Sequence, residues 1–517
     1  MNELPSTIHA LIELQAQRQP GAAYAVSTQA DRGISYAELA QGCRTVASVL
    51  RRHGAGPGDT VSVVMPNGLQ TLRVLLGAMH GGLCVNPVNL LAQPEQMRYV
   101  LGHSDCRVVC VAPEWEERVR GMLQGIGRPI EVIVVDPEGA ALPGETQAPT
   151  PVQAAAPAPD AVALLMYTSG TTGVPKGVML TQANMVANAQ AISTEHALGP
   201  ADRVLAVLPL YHINAFAVTM VAPLAHGGSL AIPPRFSAGR FWEQAAQHRC
   251  SWINVVPTMI SYLLEGEKPH SEQTAGIRFC RSASAALPPE HHLAFEQKFG
   301  IGIVETMGLT ETAAPSFSNP LDPALRKLGS VGRASGCEAR VLDAELQPLP
   351  AGATGEIVIR GPNVMRGYYK DEKATQAAFT HDSWLRTGDL GHQDGDGFFF
   401  VTGRIKELII KGGENIAPRE IDEVLLAHPA VLEAAAVGIS DPHYGQEIMV
   451  CVVLRDGMAC GEDELREFCL PRLGRYKTPK QFRFVTDLPR GPSGKVQRLK
   501  LLALYEPTGE VHPDSRS

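Results

Sequence analysis

Short apolar runs alternating with longer helix-like stretches constrain this chain more than any other feature. "DTVSVVMP" reads as a buried strand, and "LQTLRVLLGAMHGG" behind it as a helix stopped by glycine. "DCRVVCVAP", "IEVIVVD", "RVLAVLPL" and "GSLAIPP" are further strand-like runs bounded by turn residues, and "RFWEQAAQHRC" and "PTMISYLLEGE" fit intervening helices. Parallel strands need helical crossovers, so this alternation predicts an α/β protein with largely parallel sheets. With 517 residues, 44% of them hydrophobic and 19% charged, the chain is long enough for more than one domain. Its net charge of -8 argues against a general nucleic-acid-binding face.

Residues 137–160, rich in Pro, Ala and Gly, read as a flexible connector that delivers the chain to the apolar run "AVALLMYTS". Composition changes again after residue 400, where a helix, an apolar strand pair ("AAAVGI" and "IMVCVVLR"), a second helix and a basic tail suggest a small α+β domain. We place the boundary at 404–406, between an N-terminal domain of residues 1–403 and a C-terminal domain of 407–517. The ten cysteines form no disulfide framework, and Cys106 and Cys110 lack the second pair or nearby histidine of a zinc site. The N-terminus has charges inside its apolar pattern and no signal-peptide core, and "AFAVTMVAPLA" is too short to span a bilayer. The expected location is the cytoplasm.

One stretch does not read as core at all. "YTSGTTGVPKGVML", residues 167–180, reads as too polar for a strand and too glycine-rich for a helix. Its glycines can turn successive N–H groups into one concavity. Thr168, Ser169, Thr171 and Thr172 add hydroxyl donors, Lys176 adds a charge, and Thr181 can cap the next helix. Strand, glycine-rich loop and helix together suit a polyphosphate. The NTPase pattern G-x-x-x-x-G-K-[ST] is nevertheless absent, because Lys176 precedes a glycine and Pro489 stands where the first glycine before Gly494-Lys495 would be.

"YTSGTTGVPKG" does resemble the phosphate-loop motif of the adenylate-forming superfamily, which includes acyl-CoA synthetases, luciferases and peptide-synthetase adenylation domains. "LPLYHINAF", "ETMGLTETA", "TGEIVIRGPNVMRGYY", "WLRTGDLG", "GRIKELIIKGGENIAPREID" and "LPRGPSGKVQR" resemble its further motifs, in order, from about residue 10 to 505. The resemblance implies a large N-terminal domain of mixed sheets sandwiched by helices, with a small α+β domain that rotates on a hinge at Lys406. It implies an ATP-dependent ligase that makes an acyl-adenylate with release of pyrophosphate, then passes the acyl group to a thiol.

The same resemblance assigns roles. Thr168, Ser169, Gly170, Thr171, Thr172, Gly173 and Lys176 would hold the β- and γ-phosphates, Thr310 would contact the α-phosphate, and Glu311 would hold Mg2+. Without the motif, Thr310-Glu311 would read as a helix cap with an acidic first turn. Asp389 matches the ribose ligand and Arg404 lies beside ribose and phosphate, although alone either would read as an ion-pair member. Lys495 matches the lysine that reaches the reacting carboxylate and α-phosphate, and "PRGPSGK" also resembles a target of lysine acetyltransferases. Gly412 and Gly413 would let a pantetheine arm pass, and His212 resembles the aromatic gate between acyl and ATP sites.

Two departures matter. Met307 stands where the family usually stacks an aromatic ring on adenine, and "RSASAAL" replaces a more glycine-rich segment, placing Ser284 and Ala285 near nucleotide and acyl group. Candidate acyl-pocket positions are His212, Asn214, Phe216, Trp252, Ser284, Ala285, Met307 and Thr312. Asn214 would be a costly lining for an alkyl chain unless satisfied. "TETAAPSFSNPLDPALRKLGSVG" resembles ligases for small dicarboxylic acids, and Arg235 or Arg281 could pair with a second anionic group. The expected acid is short and polar or anionic, such as malonate, oxalate or sulfoacetate. Medium-chain, carnitine-like and aromatic acids are the alternatives. The short polar tail to Ser517 points to coenzyme A as acceptor, with carrier proteins and amino-acid adenylation as alternatives. A purely binding or regulatory role is opposed by the presence of Lys176, Glu311, Asp389 and Lys495.

Overall fold

The computed structural model describes residues 5–145, 156–168, 174–490 and 496–504. Two compact units result, one of Met1–Thr387 with His392–Phe400 and one of Gly388–Gly391 with Val401–Ser517. The fold is mixed α/β, with a large N-terminal unit and a smaller C-terminal one.

The larger unit holds two main sheets. The first has the order Gly367–Tyr368, Lys176–Thr181, Val162–Thr168, Cys84–Pro87, Thr60–Val64, Val108–Val111 and Glu131–Val134. Its last five strands are parallel, and its first three are joined antiparallel. The second sheet has nine strands, with six parallel strands at its centre and antiparallel additions at both ends. All five residues of Thr60–Val64 are buried, as a central parallel strand covered on both faces requires. Helix Leu69–His80 is buried at every position except Arg73. A Cβ on its Gly77 would meet Val46 Cβ at 2.5 Å, so this glycine brings the helix against Tyr36–Arg52. The largest apolar cluster joins both sheets through these helices and Gln182–Glu195, with each fully buried leucine worth about 1.5–3 kcal/mol.

Three histidines inside the larger unit carry a testable consequence. Burial pushes His80 down to about 4 and His226 to about 4, and burial followed by the charge of Arg281 pushes His196 to about 3. The unfolded chain therefore takes up protons first, so this stability is complete above about 6.5 and drains away as pH falls toward 4. We expect roughly 1–2 kcal/mol lost per histidine by pH 5. A Tm lower by about 5 °C or more at pH 5 than at pH 7.5 would agree; a flat or rising Tm would contradict it.

Two expectations need correction. The stretch read as wholly loop contains a strand, because Lys176–Thr181 pairs antiparallel with Val162–Thr168 and then with Gly367–Tyr368. Thr181 does cap helix Gln182–Glu195 in a reciprocal box with Asn184, but a full strand separates that helix start from the loop. The arrangement is a hairpin, and no helix N-terminus follows the glycines directly. The stretch read as a flexible connector is held in place over its first nine residues. Residues 137–145 are tied down by Gln70 N–H to the Pro137 carbonyl (2.9 Å), Arg52 to the Gly144 carbonyl (2.8 Å) and an Arg73–Glu145 ion pair at 2.6 Å. Residues 146–155 lie outside the described residues.

In the smaller unit, strands Glu414–Ile416, Ile409–Lys411, Gly445–Leu454 and Val431–Asp441 lie in that order, and Gln481–Phe484 pairs parallel with Gly445–Leu454. Helices Pro418–Leu426 and Glu462–Lys477 cover the core around Ile421, Leu425, Ile448, Val450, Leu465 and Phe482. The second helix is broken at Gly474 (φ 69°) and carries Pro471 inside it. All ten cysteines are unpaired thiols. Among the described residues no helix is long and apolar enough to cross a membrane.

Candidate active site

In the larger unit the site is organised by sheet register. Thr168 is registered against Lys176, which closes the base of the glycine-rich loop. Ser169, Gly170, Thr171, Thr172 and Gly173 lie outside the described residues. On the next strand Tyr368 is registered against Val178, and its ring lies 5.0 Å beneath the Lys176 Nζ. The Tyr368 hydroxyl donates to Glu311 Oε1 at 2.9 Å. Burial, reinforced by the Glu311 charge, pushes that phenol well above its ordinary range, so it remains a donor at neutral pH. A cation, a phenol and a carboxylate from three distant segments thus meet in one line. Tyr368 was not singled out from the sequence, although "RGYY" contains it.

Glu311 sits in a single 3₁₀ turn, Thr310–Thr312, and not in the first turn of a longer helix. The turn is held from below: Asn188 Nδ2 donates to the Thr312 carbonyl (3.2 Å) and the Pro315 carbonyl (2.8 Å), and Asn363 Nδ2 donates to the Thr312 carbonyl (3.1 Å). Ala313 and Ala314 both adopt left-handed backbone (φ 56° and 94°), which costs free energy that the surrounding bonds must supply. A Cβ on Gly308 would come within 1.9 Å of the Ala314 carbonyl oxygen, so no side chain fits there. Thr312 is fully buried and its hydroxyl bonds to Leu309 and Ala314, which removes it from the acyl-pocket set. Thr310, Met307 and Ser284 are partly exposed, and Ala285 is exposed. Ser284 is a further left-handed residue, φ 76°.

Phe216 and Trp252 are core residues. Phe216 begins a fully buried π-helical turn, and Trp252 stacks on Phe279 and His196. Both side chains are buried in the core, Phe216 completely and Trp252 all but 1%. His212 is partly exposed at the start of the same helical segment, edge-on to Tyr211 at 4.7 Å. Asn214 is 7% exposed and fully engaged: Oδ1 accepts from Arg281 Nη1 at 2.6 Å and from Asn254 Nδ2 at 3.3 Å, while Nδ2 donates to Ser284 Oγ at 3.2 Å. Arg281 is buried and Arg235 exposed.

In the smaller unit, Asp389 and Arg404 are joined by an ion pair of 2.7 Å, the carboxylate buried and the guanidinium partly exposed. Gly412 and Gly413 form the two-residue loop between Ile409–Lys411 and Glu414–Ile416, both with positive φ (54° and 86°). That turn type demands such residues whatever passes nearby. Residues 491–495, and so Lys495, lie outside the described residues. The chain on either side is paired, Arg490 with Val496 as a bridge and Gln497 N–H with the Pro489 carbonyl at 2.7 Å. Arg498 then bonds to Asp422, to Glu407 (3.2 Å) and to the Ala436 carbonyl (3.0 Å).

Known proteins resemble the chain over nearly its whole length. The pattern described as AMP-binding enzyme matches residues 12–369, and that described as AMP-binding enzyme C-terminal domain matches 420–495. The chain is 58% identical to a sulfoacetate–CoA ligase of Cupriavidus necator, over 97% of this chain and 98% of that protein. It is 33% identical to an oxalate–CoA ligase of Arabidopsis thaliana, over 95% of this chain and 97% of that one. The crystal structure of ATP-bound MatB from Rhodopseudomonas palustris superposes with a TM-score of 0.90 at 29% identity, covering 97% of this chain and all of that one.

Proposed function

The chain belongs to the AMP-binding enzyme family, and on that premise we propose that it is an acid–thiol ligase, using ATP and coenzyme A, whose acid is short and carries a second anionic group of the sulfoacetate, oxalate or malonate kind. The observation that carries the chemistry is the line of Lys176, Tyr368 and Glu311 at the foot of the hydroxyl-rich hairpin. The names of the relatives support the choice of acid.

In the first half-reaction an acid oxygen attacks the α-phosphorus of ATP, the bond to the β-phosphate breaks and pyrophosphate leaves. An anion must approach a polyanion, so catalysis is mainly positioning and charge stabilisation. Thr168, Ser169, Gly170, Thr171, Thr172, Gly173 and Lys176 hold the β- and γ-phosphates. Thr310 contacts the α-phosphate, and Ser284, Ala285 and Met307 border the base. Asp389 accepts from the ribose hydroxyls with Arg404 beside it, and Lys495 bridges the acid and the α-phosphate. Glu311 suits Mg2+: one carboxylate oxygen bonds Tyr368, no hydrogen bond to the other is found among the described residues, and this ion commonly takes one protein carboxylate with phosphates and water. When bound, Mg2+ would shield phosphate charge.

In the second half-reaction the thiolate attacks the mixed anhydride and AMP leaves. The domain of residues 407–517 turns against 1–403 on a hinge at 404–406, withdrawing Lys495 and bringing up Gly412 and Gly413, with His212 gating the acyl site. The cytoplasm is the compartment, and acetylation of Lys495 would silence the first step. The test is ATP–pyrophosphate exchange with sulfoacetate, oxalate, malonate, acetate, hexanoate, carnitine and benzoate, then thioester detection with coenzyme A. We expect at least one doubly anionic acid to exceed every monocarboxylate by about tenfold, a difference of about 1.4 kcal/mol in barrier. Preference for hexanoate or benzoate would overturn the choice of acid, and no exchange with any acid would overturn the ligase.

A further inference from the structure

Arg281 is a buried cation with no anion beside it among the described residues. It lies on Phe279–Ser282, an interior strand of the nine-stranded sheet, with 1% of its surface exposed. Its Nη1 donates to two neutral amide oxygens, Asn214 Oδ1 at 2.6 Å and Asn254 Oδ1 at 2.7 Å, while Nε finds no hydrogen-bond partner among the described residues. Among the described residues no carboxylate lies within ion-pair distance of it. The acid on the neighbouring strand, Glu305, is registered against Ser282, faces the other side of the sheet and bonds His292 at 3.1 Å. Burial pushes the Arg281 guanidinium down to about 9, which leaves it charged at neutral pH. Proteins seldom leave such a charge uncompensated.

One chain of hydrogen bonds leads from the charge toward the surface. A guanidinium can only donate, so it fixes the Asn214 oxygen inward and turns the amide nitrogen toward Ser284 Oγ at 3.2 Å. Ser284 is partly exposed and held in left-handed backbone, borders the base in the function proposed above, and by the family resemblance lies near the acyl group as well. We propose that Arg281 is a positioning residue that selects acids with a second negative group, acting through the Asn214 amide and the Ser284 hydroxyl, and that the bound acid's sulfonate or second carboxylate supplies the counter-charge the fold omits. The inference rests on the ligase reading and adds to it the residue that sets acid choice.

Asn254→Asp tests it with almost no change of volume, since it sets a carboxylate against Nη1 and neutralises Arg281 from within. Sulfoacetate is compared with methylsulfonylacetate, a near-isosteric acid lacking the second charge, by exchange kinetics. In Asn254→Asp the kcat/KM ratio of sulfoacetate to methylsulfonylacetate should fall by about tenfold, mainly through KM, with Tm unchanged or raised. Arg281→Met should lower the ratio likewise and Arg281→Lys should restore part of it, as a purely structural arginine would not. Folded Asn254→Asp and Arg281→Met proteins that keep the wild-type ratio would overturn the inference and leave the ligase standing. A wild type that favours methylsulfonylacetate would do the same, whereas a wild type inert toward every acid would remove both.

Discussion

Lys495→Ala is expected to slow adenylate formation by about 10²–10³-fold, the size seen when a preorganised charge at a reacting oxygen is removed. The carboxylate and the α-phosphate are both negative, and nothing but a cation held between them makes their approach favourable. The second half-reaction starts from a mixed anhydride in which that repulsion is gone, so the variant should still convert preformed acyl-adenylate and coenzyme A to thioester at a near-normal rate. Arg490 and Val496, on either side of the lysine's segment, are bridged, and Arg498 is bonded to Asp422 and Glu407. These contacts do not involve the lysine side chain, so Tm should be unaffected. Pyrophosphate exchange by the wild type and variant, alongside single-turnover thioester formation from synthetic adenylate, separates the two steps. Exchange at the wild-type rate would refute the assignment. Equal loss in both steps would show that the residue shapes the site and does not serve the first step.

The fold was legible where burial is two-sided or periodic. Thr60–Val64 and Leu69–His80 announce themselves because every residue, or nearly every one, is buried within a mostly apolar run. The strand Lys176–Thr181 is hidden because its first residues belong to a motif whose polarity serves the loop, and antiparallel pairing on both sides is invisible to local pattern. Residues 137–145 look like linker by composition, yet arginines from distant segments grip their carbonyls. The same limit applies to the site. Glu311 and Lys176 can be named from motifs, but Tyr368 joins them only through strand register across nearly two hundred residues. Arg281 can be named from the sequence as a cation for a second anionic group, but Asn254 belongs to no motif, and only their burial side by side joins the two. Thr312 and Trp252 fail as pocket residues for the converse reason: a hydroxyl spent on its own turn and a ring stacked in the core are properties of neighbours.

Glu311→Gln should lower the rate of adenylation by about 10²–10³-fold and raise the Mg2+ concentration giving half-maximal exchange by about tenfold or more. Glutamine keeps the length of the side chain and an oxygen that can accept from the Tyr368 hydroxyl, so the 3₁₀ turn and its support from Asn188 and Asn363 should persist. What disappears is the negative charge, and a divalent cation needs that charge more than it needs an amide oxygen. Tyr368→Phe is the matched control: it removes the hydroxyl beside Glu311 but leaves the ring under Lys176, and should cost less than about tenfold in rate with little change in Mg2+ dependence. Titrating Mg2+ at saturating ATP for the three proteins separates the possibilities. If Glu311→Gln retains the wild-type Mg2+ requirement and loses no more rate than Tyr368→Phe, the carboxylate is a support for the phenol and the metal is held elsewhere. If only Glu311→Gln moves the Mg2+ requirement, the line of lysine, tyrosine and glutamate ends on the ion, and the hairpin's cationic end and the turn's anionic end grip the two sides of one metal–phosphate group.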